Sequence, residues 1–132
     1  MCSTAIATPN WTADDASTMQ QRLTAGFWIK AHIRRLAIKA IPAVVARRGD
    51  DSAGAILIKL NRLENGCTVF TAGHSLEGER VWRRATGREP VPEAEADSYI
   101  ERQVGYDPDI WVLEIEDREG RHLIPDRVEE DE

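Results

Sequence analysis

Pro108-Asp109 followed by Glu114-Ile115-Glu116 has the residue types of a metal-dependent nuclease site. Such a site holds a divalent cation between two carboxylates, which activates the attacking water, and uses a lysine to assist. The spacing speaks against it. Asp109 and Glu114 lie five residues apart on one expected strand, which at ~3.3 Å per residue separates them by ~16 Å. Two ligands of one cation, each at ~2 Å from it, cannot be that distant. The third position is Glu116, not a lysine.

The other chemical patterns are weaker. "RRGDDSAGA" (47–55) has two glycines and two arginines, but not the spacing of a phosphate-binding loop or a dinucleotide fingerprint. Asp50 and Asp51 would repel phosphate. An acyl-CoA pocket also uses a basic, glycine-rich loop, but that loop leads into a helix, and here a strand follows. Ser75 follows His74, and adjacent residues rarely pair as nucleophile and base. His32 sits between Trp28 and Arg35 at helical spacing and is expected at the edge of the core. His32, His74 and His122 are far apart with no CxxC or HExxH beside them, so no metal site is expected. No cofactor and no catalytic residue is expected. Cys2 and Cys67 are expected to be reduced thiols.

Charge is more informative. The net charge of −6 hides a polar distribution. Residues 27–48 hold Lys30, Arg34, Arg35, Lys39, Arg47 and Arg48 and no acid, whereas residues 93–132 hold fifteen acids and four arginines. Arg80, Arg83, Arg84 and Arg88 form a second basic cluster around Trp82. Clustered cations are what phosphate backbones require, and an exposed aromatic could stack on a base. The acidic C-terminal part would repel the same ligand. The preferred alternative is that the basic helix and the acidic strand lie side by side, within a chain or across a dimer. The candidate binding residues are Lys30, Arg34, Arg35, Arg47 and Arg83. The partner expected is a second copy or another protein, with nucleic acid as the alternative and no membrane.

These residues need elements to position them. A helix is expected over 24–41, with Thr24 as N-cap, Ile29, Ile33, Leu36, Ala37 and Ala40 as its buried stripe, and Pro42 as its stop. Residues 43–63 read as two strands in a hairpin around Gly49-Asp50-Asp51-Ser52, with Ile56, Ile58 and Leu60 facing the core. Asn65-Gly66 turns the chain into a strand at 67–72, and 80–85 is a fourth strand. A second helix starts at Pro92, buries Ala96, Ile100 and Val104, and stops at Gly105. A last strand carries Trp111, Leu113 and Ile115 inward. Asp117-Arg118-Glu119-Gly120 is a turn, with Arg121 and His122 starting a short returning strand.

The order of elements implies a single α+β domain over 19–124: a helix, an antiparallel meander of three or four strands, a helix and a strand. The sheet is covered on one face, and becomes mixed if the last strand inserts beside an earlier one. Residues 1–18 read as a flexible extension, with Met19 as an alternative translation start, and 125–132 as an acidic tail. No apolar run approaches the ~20 residues of a membrane span and no secretory signal is visible, so a cytoplasmic location is expected.

"RLTAGFWIKAHIRR", "VVARRGDDSAGAILIKLNRL" and "PEAEADSYIERQVGYDPDIWVLEIEDREGRH" together resemble the short alphaproteobacterial proteins grouped as domain of unknown function 1491. The resemblance covers about residues 22–123 and leaves residues 1–18 outside the family pattern. It implies a small cytosolic α/β-type domain, and it transfers no activity and no site residue. An uncharacterised, non-catalytic interaction or regulatory module is therefore expected. A nucleic-acid-binding module and an acyl-CoA-type enzyme using Arg47 to Gly54 are the alternatives.

Overall fold

The structure is a computed structural model and describes residues 24–52 and 54–129. The expectations for residues 1–18, Cys2 and Met19 lie outside the described residues. The first helix, α1, is Ala25–Ile38. Thr24 caps it as expected, its Oγ1 accepting from the Phe27 N–H. The strands are β1 (Ala43–Arg47), β2 (Ile56–Asn61), β3 (Cys67–His74) and β4 (Arg80–Arg84). Helix α2 (Glu93–Tyr106) precedes β5 (Trp111–Glu116), and β6 (Arg127–Glu129) follows.

The six strands form one mixed sheet in the order β1-β5-β2-β3-β4-β6. The α+β class and the mixed sheet agree with the sequence reading. The β1–β2 hairpin does not form. Instead β5 inserts between the two strands, antiparallel to β1 and parallel to β2. The physical reason is that β5 is apolar on both faces: Trp111, Leu113 and Ile115 are buried on one and Val112 on the other. Such a strand belongs at the sheet centre, where both faces are covered.

Two glycines make room for the insertion. A Cβ on Gly49 would lie 2.2 Å from the Asp109 carbonyl oxygen, and one on Gly54 2.5 Å from it. The loop is sewn to the start of β5 by Asp50 N–H to Asp109 O and by the Trp111 indole N–H to Asp50 O at 2.7 Å.

Helices cover both sheet faces, not one. Against α1 pack Ile56, Ile58, Leu60, Phe70, Trp82, Trp111, Leu113 and Ile115. Against α2 pack Leu57, Cys67, Val69 and Val112, with Ala96 buried and Ile100 and Val104 half-buried. Cys67 is a buried free thiol.

The buried stripe of α1 is also rotated from the expected one. Ala25, Trp28, Ile29, His32 and Leu36 are buried, while Ala37 and Ala40 are exposed. Helix α2 runs through Gly105 to Tyr106 and ends on Asp107 instead of stopping at the glycine. The turn at 117–120 forms, with Gly120 at φ +81°. No returning strand starts at Arg121. Residues 121–125 instead cross as irregular chain to β6, which pairs in parallel with β4.

Candidate functional site

Of the carboxylates in the suspected nuclease pattern, Glu114 is drawn into a polar cluster with Lys59 and Asn61. Glu114 stands opposite Lys59 in the β2–β5 register and accepts from the Asn61 amide at 3.2 Å. Lys59 is buried and donates to Glu93 at 2.8 Å and Asp97 at 2.7 Å, one turn apart at the start of α2. Burial works against the lysine charge. Hydrogen bonds to Asp97 and Glu93, and the charge of Glu114, outweigh it and raise the pKa above the ordinary lysine value. The arrangement pins α2 to the sheet. Asp107 accepts from the Asp109 N–H. Among the described residues, no group of three His, Cys, Asp or Glu side chains could hold a metal ion.

The five basic residues singled out from the sequence do not converge. Lys30 and Arg34 share the exposed face of α1, and neither makes an ion pair with a described residue. Arg35 is turned inward: its Nε donates to Nδ1 of His32 at 3.2 Å and its guanidinium lies over Trp28. Arg47 donates to the Pro108 carbonyl at 2.7 Å and so ties β1 to the loop before β5. Arg83 is exposed on the opposite sheet face, in a shallow cavity with Thr71, Ser75 and Glu129. Trp82 is fully buried and cannot stack on a base, contrary to the expectation behind the nucleic-acid reading. The cations of the basic helix and the carboxylates of the acidic strand do not face each other either. Helix α1 covers the Leu113 face of β5, whereas Glu114 points to the α2 side. Among the described residues, Lys30 and Arg34 on the outer face of α1 are therefore left without an acidic partner.

Beside them lies a groove of about 370 Å³ between α1, β1 and the loop after it, lined by Phe27, Lys30, Ile33, Val45, Arg48 and Trp111 among others. Phe27 on its rim is 56% exposed, and Val44 on the edge strand β1 is 59% exposed. The loop that the acyl-CoA alternative invoked is occupied by its own contacts. Arg48 pairs with Asp51 and covers the Trp111 ring, and Asp50 accepts from both the N–H and the hydroxyl of Ser52.

The third feature is a buried cluster where α1, β4 and the chain before β6 meet. Asp126 Oδ2 accepts two indole N–H groups, from Trp28 at 3.2 Å and from Trp82 at 3.0 Å. Trp28 stacks on His32, which is fully buried and not at the core edge. His32 Nε2 donates to the His122 carbonyl at 2.8 Å, while Nδ1 accepts from Arg35. Both contacts suit a neutral ring. Burial, then the Arg35 charge, lowers its pKa from 6.5 to about 4. His122 packs on Phe70, and its Nδ1 accepts from the Ile124 N–H. Burial and then Arg84 lower its pKa too. Arg35 and Arg80 each stand 5.7 Å from the Trp28 ring centroid. The i, i+4, i+7 spacing of Trp28, His32 and Arg35 was the sequence signal for this cluster. Nothing local announced Asp126 or the His122 carbonyl.

These features define a class: a small α+β domain with a mixed six-stranded sheet between two helices of opposite charge. Comparison with known proteins then places it. The DUF1491 family, described as a protein of unknown function, matches residues 23–125, and the chain belongs to that family. The crystal structure of a DUF1491 family protein from Caulobacter crescentus CB15 is similar at 42% identity and TM-score 0.74, covering 81% of this chain and 99% of that one. An NMR structure of a DUF1491 family protein from the same organism gives 42% identity and TM-score 0.72, over 82% and 97% of the two chains. A solution structure of a protein from A. tumefaciens is 25% identical, with TM-score 0.63, over 72% of this chain and 86% of that one. No curated protein matches the chain.

Proposed function

We propose that this protein is a non-catalytic interaction module that self-associates, the outer face of α1 docking on the acidic α2 face of a second copy. The observation that carries the reading is the uncovered charge of α1. Lys30 and Arg34 have no ion-pair partner among the described residues, beside a groove rimmed by exposed Phe27. On the other side of the sheet α2 carries Glu93, Glu95, Asp97 and Glu101 against a single arginine, Arg102. A surface of each sign on opposite faces of one sheet suits head-to-tail contact between copies, which steers association and is weakened by salt. The exposed aromatic and Val44 add apolar area of the kind found at protein contacts.

The location proposed is the cytoplasm. It is supported by the absence, among the described residues, of any helix long and apolar enough to cross a membrane.

Sedimentation velocity at high micromolar concentration tests the reading. Oligomers are expected that dissociate in high salt and in the Lys30→Glu/Arg34→Glu variant. A strict monomer in low salt removes the self-association claim. Low-salt gel shifts with single-stranded and duplex nucleic acid give no retardation under this reading. Retardation lost in the same variant would transfer the basic face to a nucleic-acid partner.

A further inference from the structure

We infer that the cavity on the outer strands β3, β4 and β6 is a binding site for a small α-amino acid, its carboxylate held by Arg83 and its ammonium by Glu129. The cavity measures about 370 Å³ and is lined by Thr71, Gly73, Ser75, Val81, Arg83 and Glu129 among others. Strand register sets its geometry. Thr71, Arg83 and Glu129 are direct neighbours across β3, β4 and β6, and Gly73 stands opposite Val81. Neighbouring strands lie about 4.8 Å apart, so the three side chains rise from one row on one face, the two charges side by side. That face is the one α2 covers further along the sheet, since Leu57, the partner of Thr71 in β2, packs against α2.

The polar groups of the row are unspent. The Arg83 guanidinium is exposed and has no acidic partner among the described residues, and the Thr71 hydroxyl has no hydrogen bond there. Glu129, the register partner of Arg83, instead meets Arg127 at 3.4 Å in an exposed contact of little worth. Ser75 Oγ accepts from the N–H groups of Glu77 and Glu79, both at 3.2 Å, which engages its lone pairs and leaves its proton to donate. A guanidinium and two hydroxyl donors beside one carboxylate suit a ligand that bears both charges on one carbon. A simple anion would meet Glu129, and a simple cation would meet Arg83. Gly73 is an independent observation. A Cβ there would meet nothing within 4 Å, and its φ lies outside the left-handed region, so the fold does not require a glycine. Glycine inside a strand weakens it and marks places where a ligand comes close. Beside the buried Val81 it opens the floor of the cavity. The site is separate from the Lys30–Arg34 face, so a strict monomer leaves it standing.

The test is an NMR titration of the full chain with L-alanine at constant ionic strength, with propionate and ethylamine as its two halves in separate arms. The amide resonances of Thr71 and Arg83 report, and the indole N–H of Trp111, held by Asp50, serves as internal reference. Saturable shifts at Thr71 and Arg83 but not at Trp111 are expected with alanine. Either half is expected to bind about tenfold more weakly or worse, the loss of one charge-assisted hydrogen bond. Arg83→Gln is expected to weaken alanine binding by a similar factor. Gly73→Ala separates a ligand role from a structural one: it is expected to hold or raise the midpoint of urea unfolding while its Cβ, entering the cavity, weakens alanine binding. Arg83 is exposed, so Arg83→Gln carries the test if Gly73→Ala does not fold. A shift that is absent, linear with concentration or equal at Trp111 overturns the site. So does propionate that binds as tightly as alanine, or an alanine affinity unchanged in Arg83→Gln.

Discussion

Acidification is expected to destabilise this fold through His32, before its carboxylates are protonated. The ring is fully buried, with Nε2 donating to the His122 carbonyl and Nδ1 accepting from Arg35. Protonation would set an N–H at Nδ1 against the Arg35 N–H and put a charge where water cannot reach. The unfolded ring titrates near 6.5 and the folded ring at about 4. Between these values the unfolded chain binds a proton that the folded chain refuses. Stability therefore rises with pH across the window and is lost as pH falls through it. At ~1.4 kcal/mol per pKa unit the full difference is about 3 kcal/mol, of which about 2 kcal/mol is lost between about pH 7 and about pH 4.5. His122 is shifted in the same direction and adds to the loss. Asp117 is held below its ordinary 3.8, first by the Arg121 hydrogen bond, so its contribution is lost only in more acid solution. Urea unfolding of wild type and His32→Gln across this pH range isolates the ring. Wild type loses about 2 kcal/mol more than the variant over the window. Equal pH slopes for the two proteins would refute the assignment of a buried neutral imidazole.

Three further predictions concern stability at neutral pH. Lys59→Ala is expected to cost about 2–3 kcal/mol in urea unfolding, because it removes the one cation shared by Glu93, Asp97 and Glu114 along with its buried stem. The half-exposed partners can rehydrate, which keeps the loss at the lower end. Lys59→Met retains the packing and is expected to cost about 1 kcal/mol. Gly49→Ala places a Cβ 2.2 Å from the Asp109 carbonyl oxygen and is expected to cost at least about 2 kcal/mol. Gly105→Ala meets nothing within 4 Å inside α2 and is expected to raise the midpoint of thermal unfolding, with a gain of about 0.5 kcal/mol.

Local chemistry was enough to establish the elements. The Thr24 cap, the apolar periodicity of α1, the alternation in Trp111, Leu113 and Ile115 and the glycine after Arg118-Glu119 act within a few residues of themselves. They hold whatever the rest of the chain does. The motifs that carry the family resemblance were also visible, since the helix with paired arginines, the RGD loop and the DPD-x-W block are contiguous. The sequence read Asp109 and Glu114 as lying on one strand, whereas Asp109 lies in the turn before β5 and only Glu114 is on the strand.

Partnership between strands and between faces was decided only in three dimensions. Gly49 to Ser52 has turn chemistry whether the flanking strands pair with each other or open around a third. Only the two-sided apolarity of β5, and the lack of side chains on Gly49 and Gly54, settle the insertion. Lys59 looks like the polar side of an alternating strand until α2 brings Glu93 and Asp97 over it. His32 looks like an edge residue until the His122 carbonyl and Asp126 arrive from about ninety residues along the chain. The charge segregation was plain in the sequence. Its separation onto opposite faces was not, because the face each helix covers follows from the strand order of the assembled sheet.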